Sequence, residues 1–162
     1  MIQITISDDS PVNAFFQKLV IEGAAKRTLL DQLGAYFVGS TRARMDSEIT
    51  PQGEPWKKSI RASKTSGKTL HDTGSLYNSI THFVIGDDAV EFGTTLDYGI
   101  PLHYGATIFP VAGKYLSFKI PGLGWVKTEK VSLPAREWLG VSAQDELHVI
   151  DVISGFLKRE VA

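Results

Sequence analysis

The order of hydrophobic patterns along this chain predicts an α+β protein. Three observations carry that reading. Apolar residues recur at helical spacing through the first third of the chain. Two pairs of alternating stretches, each pair joined by Gly-containing turns, follow in the middle and read as antiparallel hairpins. Ser142-Ala143-Gln144-Asp145 is then a capping-box pattern that opens a last amphipathic segment. The expected architecture is N-terminal helices and a C-terminal helix packed on an antiparallel sheet with long hairpins.

Each element has its own signal. Ile2, Ile4 and Ile6 alternate with polar residues and predict a short strand. Ser7-Asp8-Asp9-Ser10-Pro11 is a helix start, and Phe15, Phe16, Leu19 and Val20 continue it to about residue 22. Leu29, Leu30, Leu33, Phe37 and Val38 predict a second helix over 24–47. Pro51 to Trp56 is a turn, with Trp56 folding back as an anchor. Residues 57–69 then read as a mobile basic loop: Lys57, Lys58, Arg61, Lys64 and Lys68 occur with no acid between them. Asp72-Thr73-Gly74 feeds a short helix around Leu76 and Ile80. Residues 82–85 and 89–93 flank Gly86-Asp87-Asp88 as a hairpin, and 115–120 and 125–127 flank Pro121-Gly122-Leu123-Gly124 as another. Between them, Tyr98 to Thr107 reads as irregular, and Leu133-Pro134 breaks the second hairpin. The last helix spans about 143–160, with Leu147, Ile150, Ile153 and Leu157 at helical spacing.

Composition excludes several classes. The 162 residues are 43% apolar and carry 17 basic against 18 acidic side chains, a net charge of -1. A single domain over 1–162 of this size buries roughly 70% of its extended surface, so it folds without staples. With no cysteine there is no disulfide framework, no thiolate zinc site and no thiol nucleophile. The near-neutral balance argues against a general nucleic-acid binder but permits a local basic patch. The N-terminus lacks the basic and apolar regions of a signal peptide, and no apolar run is long enough to span a bilayer. Synthesis in the cytosol and no membrane partner are the expectations.

Catalytic patterns are weak. Ser66-Gly67-Lys68-Thr69 imitates the end of a phosphate loop, but Ala62 stands where the second Gly is needed. His71, His82, His103 and His148 offer no i, i+4 pair for a metal, and no nucleophile elbow occurs. Neither a catalytic site, a metal site nor a cofactor is predicted. His103 reads as a hydrogen-bonded structural imidazole, and a hydrolase around His103 or His71 is the outlying alternative.

Four ordered segments carry a resemblance. They are Gly53-Glu54-Pro55-Trp56; Leu70-His71-Asp72-Thr73-Gly74-Ser75-Leu76 through Ser79-Ile80; Val90-Glu91-Phe92-Gly93-Thr94 with Tyr98 and Leu102-His103-Tyr104-Gly105; and Leu133-Pro134-Ala135-Arg136-Glu137-Trp138-Leu139-Gly140, followed by the terminal helix. In order and spacing the chain resembles the phage virion morphogenesis family, the Mu-like tail-completion proteins. Two departures occur. Glu137-Trp138 stands where the family usually has Pro-Phe, and Gly105 follows His103 one residue early.

The resemblance implies a structural protein with a tail-terminator or connector-like fold, acting late in tail assembly at the head-proximal end of the tail or the head–tail joint. It implies a homo-oligomeric ring, often of six subunits in related proteins. The implied partners are the tail tube protein, head-completion or connector proteins, and phage DNA in the channel. Assembly in the bacterial cytoplasm and residence in the virion follow. Trp56, Leu76, Ile80, Trp138 and Leu139 are expected as core anchors. Gly74, Gly93 and Gly105 are expected to meet backbone requirements. Thr73, Thr94, His103 and Pro134 complete the motif set. The exposed candidates for an interface or a DNA lumen are Lys57, Lys58, Arg61, Lys64 and Lys68, the hairpin turn at 122–124, and Arg136. The competing class is a small nucleic-acid-binding module that uses the basic loop.

Overall fold

The computed structural model describes residues 23–86 and 88–160. The strand expected at 2–6 and the helix expected at 11–22 lie outside the described residues. The first described element is a long helix, α1 (Gly23–Ser47), as the apolar spacing predicted. Two short helices follow, α2 (Ile60–Thr65) and α3 (Ser75–Ser79). Strands β1 (Thr81–Ile85) and β2 (Ala89–Gly93) pair antiparallel, with Phe83 opposite Glu91. Helix α4 (Gly99–Tyr104) leads into β3 (Ala106–Ile108). Strands β4 (Leu116–Ile120) and β5 (Gly124–Thr128) form the second hairpin. Strand β6 (Val131–Leu133) returns to pair with β3, and α5 (Ala143–Glu160) ends the described chain.

The fold is α+β, but its strands form three separate two-stranded ladders where one sheet was expected. Hairpin β1–β2 packs along α1, which also meets α5. Phe37 stacks on Phe92 with centroids 4.7 Å apart and planes within 7°. Such a ring pair is worth about 0.5–1.5 kcal/mol beyond the area it buries. Gly34 explains how closely the two approach: a Cβ there would lie 2.3 Å from His82 Cδ2 and 2.8 Å from Val90 Cγ2. The core runs from Leu29, Leu33, Phe37 and Met45 of α1 through Leu76, Ile80 and Phe92 to Val149 and Ile153 of α5.

Two local expectations are corrected. The segment from Tyr98 to Thr107 is not irregular: it holds α4 and β3. The helix is held from outside its own sequence, because the Trp138 indole Nε1–H donates to Gly99 O at 3.2 Å. The basic segment expected as a loop contains α2. Ser59 caps that helix by accepting from the Ala62 N–H at 3.1 Å, and Ala62 is fully buried.

Candidate assembly surface

The motif segments converge on one indole. Trp138 is fully buried, and Leu76, Leu139 and Trp56 are buried in the same core. A Cβ at Gly99 would lie 2.9 Å from Thr94 Cγ2 and 3.3 Å from Trp138 Cζ2. Thr94 shares a 2.6 Å hydrogen bond with Ser79 Oγ and accepts from the Leu96 N–H, so β2, α3 and the following turn are locked together. Trp56 Nε1–H donates to Glu137 O at 3.2 Å. Thr73 lies outside this knot, exposed, with its hydroxyl 2.6 Å from Ser75 Oγ. Pro134 is half-buried in the stretch after β6.

Backbone requirements account for the glycines. Gly74 and Gly105 have φ of 78° and 79°, and Gly93 has φ of 148°. Gly105 is the most constrained, because a Cβ would meet Ala135 N at 2.8 Å and Leu133 O at 2.9 Å.

His103 is buried beside this knot, edge-on to Trp138 at 5.9 Å. The Leu139 N–H points at its Nδ1 at 3.5 Å. Burial holds its pKa below the ordinary imidazole value, against a smaller upward pull from Glu137. A neutral, enclosed ring that accepts from a backbone amide acts as a packing element.

Arg136 was expected at the surface, and that expectation is corrected: it is 5% exposed. Its Nε–H donates to Lys57 O at 2.9 Å, and its backbone N–H donates to His103 O at 3.1 Å. It staples the basic segment to the motif knot. Burial lowers its pKa, partly offset by Glu48.

The five cations of the basic segment divide into two groups. Lys68 pairs with Asp46 at 2.9 Å, and Arg61 approaches Asp72 at 3.5 Å while donating to Lys68 O. Glu48 accepts from the Thr69 N–H at 2.6 Å, which ties the far end of the segment to the close of α1. Lys57, Lys58 and Lys64 are exposed, and among the described residues they form no salt bridge.

Beside this segment lies a cleft of about 860 Å³. Its apolar lining includes Ile60, Leu70, Leu102, Phe118, Ile120 and Val126; Lys57, Lys58, Arg61 and Lys130 add positive charge. Hairpin β4–β5 overhangs it, and the turn residue Gly122 rests on α2, where a Cβ would lie 2.9 Å from Lys64 Cβ. The other face of that hairpin points to solvent and carries Trp125, 77% exposed. The chain between hairpins β1–β2 and β4–β5 also exposes Tyr104, Ile108, Phe109, Val111 and Tyr115.

One further polar cluster escaped sequence reasoning. Arg44 Nη1 lies 2.6 Å from Asp145 Oδ2, with both side chains buried. Arg44 Nη2–H donates to Gly140 O at 2.7 Å, and Tyr36 and Ser40 donate to Asp145 Oδ1. The capping box also forms: Ser142 N–H donates to Asp145 Oδ2, and Asp145 N–H donates to Ser142 Oγ. Burial by itself raises the Asp145 carboxyl. The hydrogen bonds from Ser40 and Ser142, with the Arg44 charge, outweigh it and hold the pKa at about 2. The box was legible from spacing; the arginine, 101 residues away, was not.

Among the described residues no group of three or more His, Asp and Glu is arranged to hold a metal ion. Among them, too, no helix is long and apolar enough to cross a membrane.

The sequence profile of the phage virion morphogenesis family matches residues 7–158. The chain belongs to that family. No curated protein and no solved structure matches it. The match spans the knot around Trp138, the cleft and all but the last two residues of α5. The chain is a structural or assembly protein associated with the phage virion.

Proposed function

We propose that this member of the family is a tail-completion or head–tail joining protein that acts as a ring at the head-proximal end of the tail. The observation that carries the reading is the unspent surface of the fold. Three two-stranded ladders leave strand edges open among the described residues, and large apolar side chains such as Phe109, Val111 and Trp125 stand in solvent. A monomer with such edges and patches is an association hazard unless neighbours cover them. A head-to-tail contact whose rotation closes makes a ring. The exposed cations Lys57, Lys58 and Lys64 suit an acidic partner: DNA in the channel, the tail tube protein, a connector protein, or the next subunit.

Native mass spectrometry across a concentration series, with negative-stain imaging, tests this. The expected result is a closed oligomer that forms as concentration rises, and loss of completed tails when the gene is deleted from its phage. A strict monomer that binds short duplex DNA with a steep salt dependence would instead make it a nucleic-acid-binding module.

A further inference from the structure

Two surfaces of the chain complement each other. The first is the cleft under hairpin β4–β5, apolar at Ile60, Phe118 and Val126 and positive at Lys57 and Lys58. The second is the outward face of α5. Leu147 and Ile150 are 58% and 49% exposed, although the opposite side of that helix is buried in the core through Val149 and Ile153. Residues three apart stand side by side on a helix, so Leu147 and Ile150 form one ridge. Glu146 and Asp151, both exposed, flank the ridge with negative charge. An acidic, apolar helix face and a basic, apolar cleft on the same molecule match as helix and groove.

We infer that the cleft receives the Leu147–Ile150 face of α5 from a second copy of the chain, with Glu146 and Asp151 meeting Lys57 and Lys58. The two patches differ, so the contact is heterologous and leaves a free cleft and a free helix face at the two ends of any dimer. That is the contact a ring requires. The inference rests on the ring reading and names its interface.

The absence of cysteine makes the test clean, because introduced thiols are the only ones present. Ile60→Cys and Leu147→Cys are made separately, mixed and oxidised. The expected product is a disulfide-linked dimer in the mixture, with none from either variant alone. Charge reversal reads the same contact without cross-linking. Glu146→Lys with Asp151→Lys should weaken assembly about tenfold or more. Lys57→Glu with Lys58→Glu should do the same, and mixing the two variants should restore pairing. All four positions are exposed, so circular dichroism should show an unchanged fold. Rings by native mass that neither cross-link nor respond to charge reversal overturn the interface and leave the ring standing. A disulfide formed by Leu147→Cys alone overturns it in favour of a two-fold contact. A monomer at every concentration overturns both.

Discussion

The Arg44–Asp145 pair shows how much one buried contact can hold. It joins α1 to the first turn of α5 and to the Gly140 carbonyl. Removing one partner leaves the other charged and enclosed, so Asp145→Ala should cost about 3–5 kcal/mol in urea unfolding. Arg44→Met with Asp145→Leu should recover much of that, since no lone charge remains. The pH dependence follows from the lowered carboxyl. Its stabilisation is complete above the unfolded value of about 4 and is lost as pH falls toward about 2, on the order of 2 kcal/mol. His103 acts in a higher window. Its folded pKa is also lowered, so protonation favours the unfolded chain, and stability should fall as pH drops below about 6.5. Melting temperatures between pH 8 and 5 should show this slope in the parent and a flatter one in His103→Gln.

At the scale of elements, close approach sets the tolerances. Gly34 lets β1–β2 lie against α1, and the His82 ring that a methyl would strike also binds Asp31 at 2.9 Å. Gly34→Ala should therefore destabilise by about 1–3 kcal/mol despite the better helix propensity of alanine, as thermal unfolding would show. Helix α2 depends on a single cap. Ser59→Ala removes the acceptor for the Ala62 N–H and should cost about 1 kcal/mol, read as faster amide exchange over residues 60–65. The segment is tied down at both ends, by Arg136 on Lys57 O and by Glu48 on the Thr69 N–H. Its lysines are thus presented from a fixed frame, the condition under which charge confers specificity.

For the whole molecule, the core and the exposed surface have separate tasks. Trp138 and its neighbours stabilise one chain, whereas the exposed side chains of Trp125, Tyr104, Phe109 and Val111 contribute little to it. Trp125→Ser should leave monomer stability within about 0.5 kcal/mol in urea titration. In the ring reading the same change reduces assembly, which native mass on the same sample would measure. A loss of both together would place Trp125 inside the fold of the single chain.

Amino-acid order alone marked α1, the two hairpins and α5, because apolar period, turn glycines and a cap are written in contiguous residues. It did not settle which side is covered: Leu147 and Ile150 of α5 and Phe83 and Ile85 of β1 are exposed. It also marked Trp56, Leu76, Trp138 and Leu139 as anchors, since large apolar side chains are costly to leave in water. The motif order pointed to the family. Helix α4 was hidden because six residues carrying a Pro show no period, and its first carbonyl is satisfied by an indole 39 residues away. The β3–β6 ladder was hidden because three-residue strands have no pattern of their own. Burial of Arg136, the pairing of Arg44 with Asp145 and the cleft beneath β4–β5 were decided only in three dimensions. Each depends on groups distant in the chain that meet after the core has formed, and local sequence carries no record of such distances.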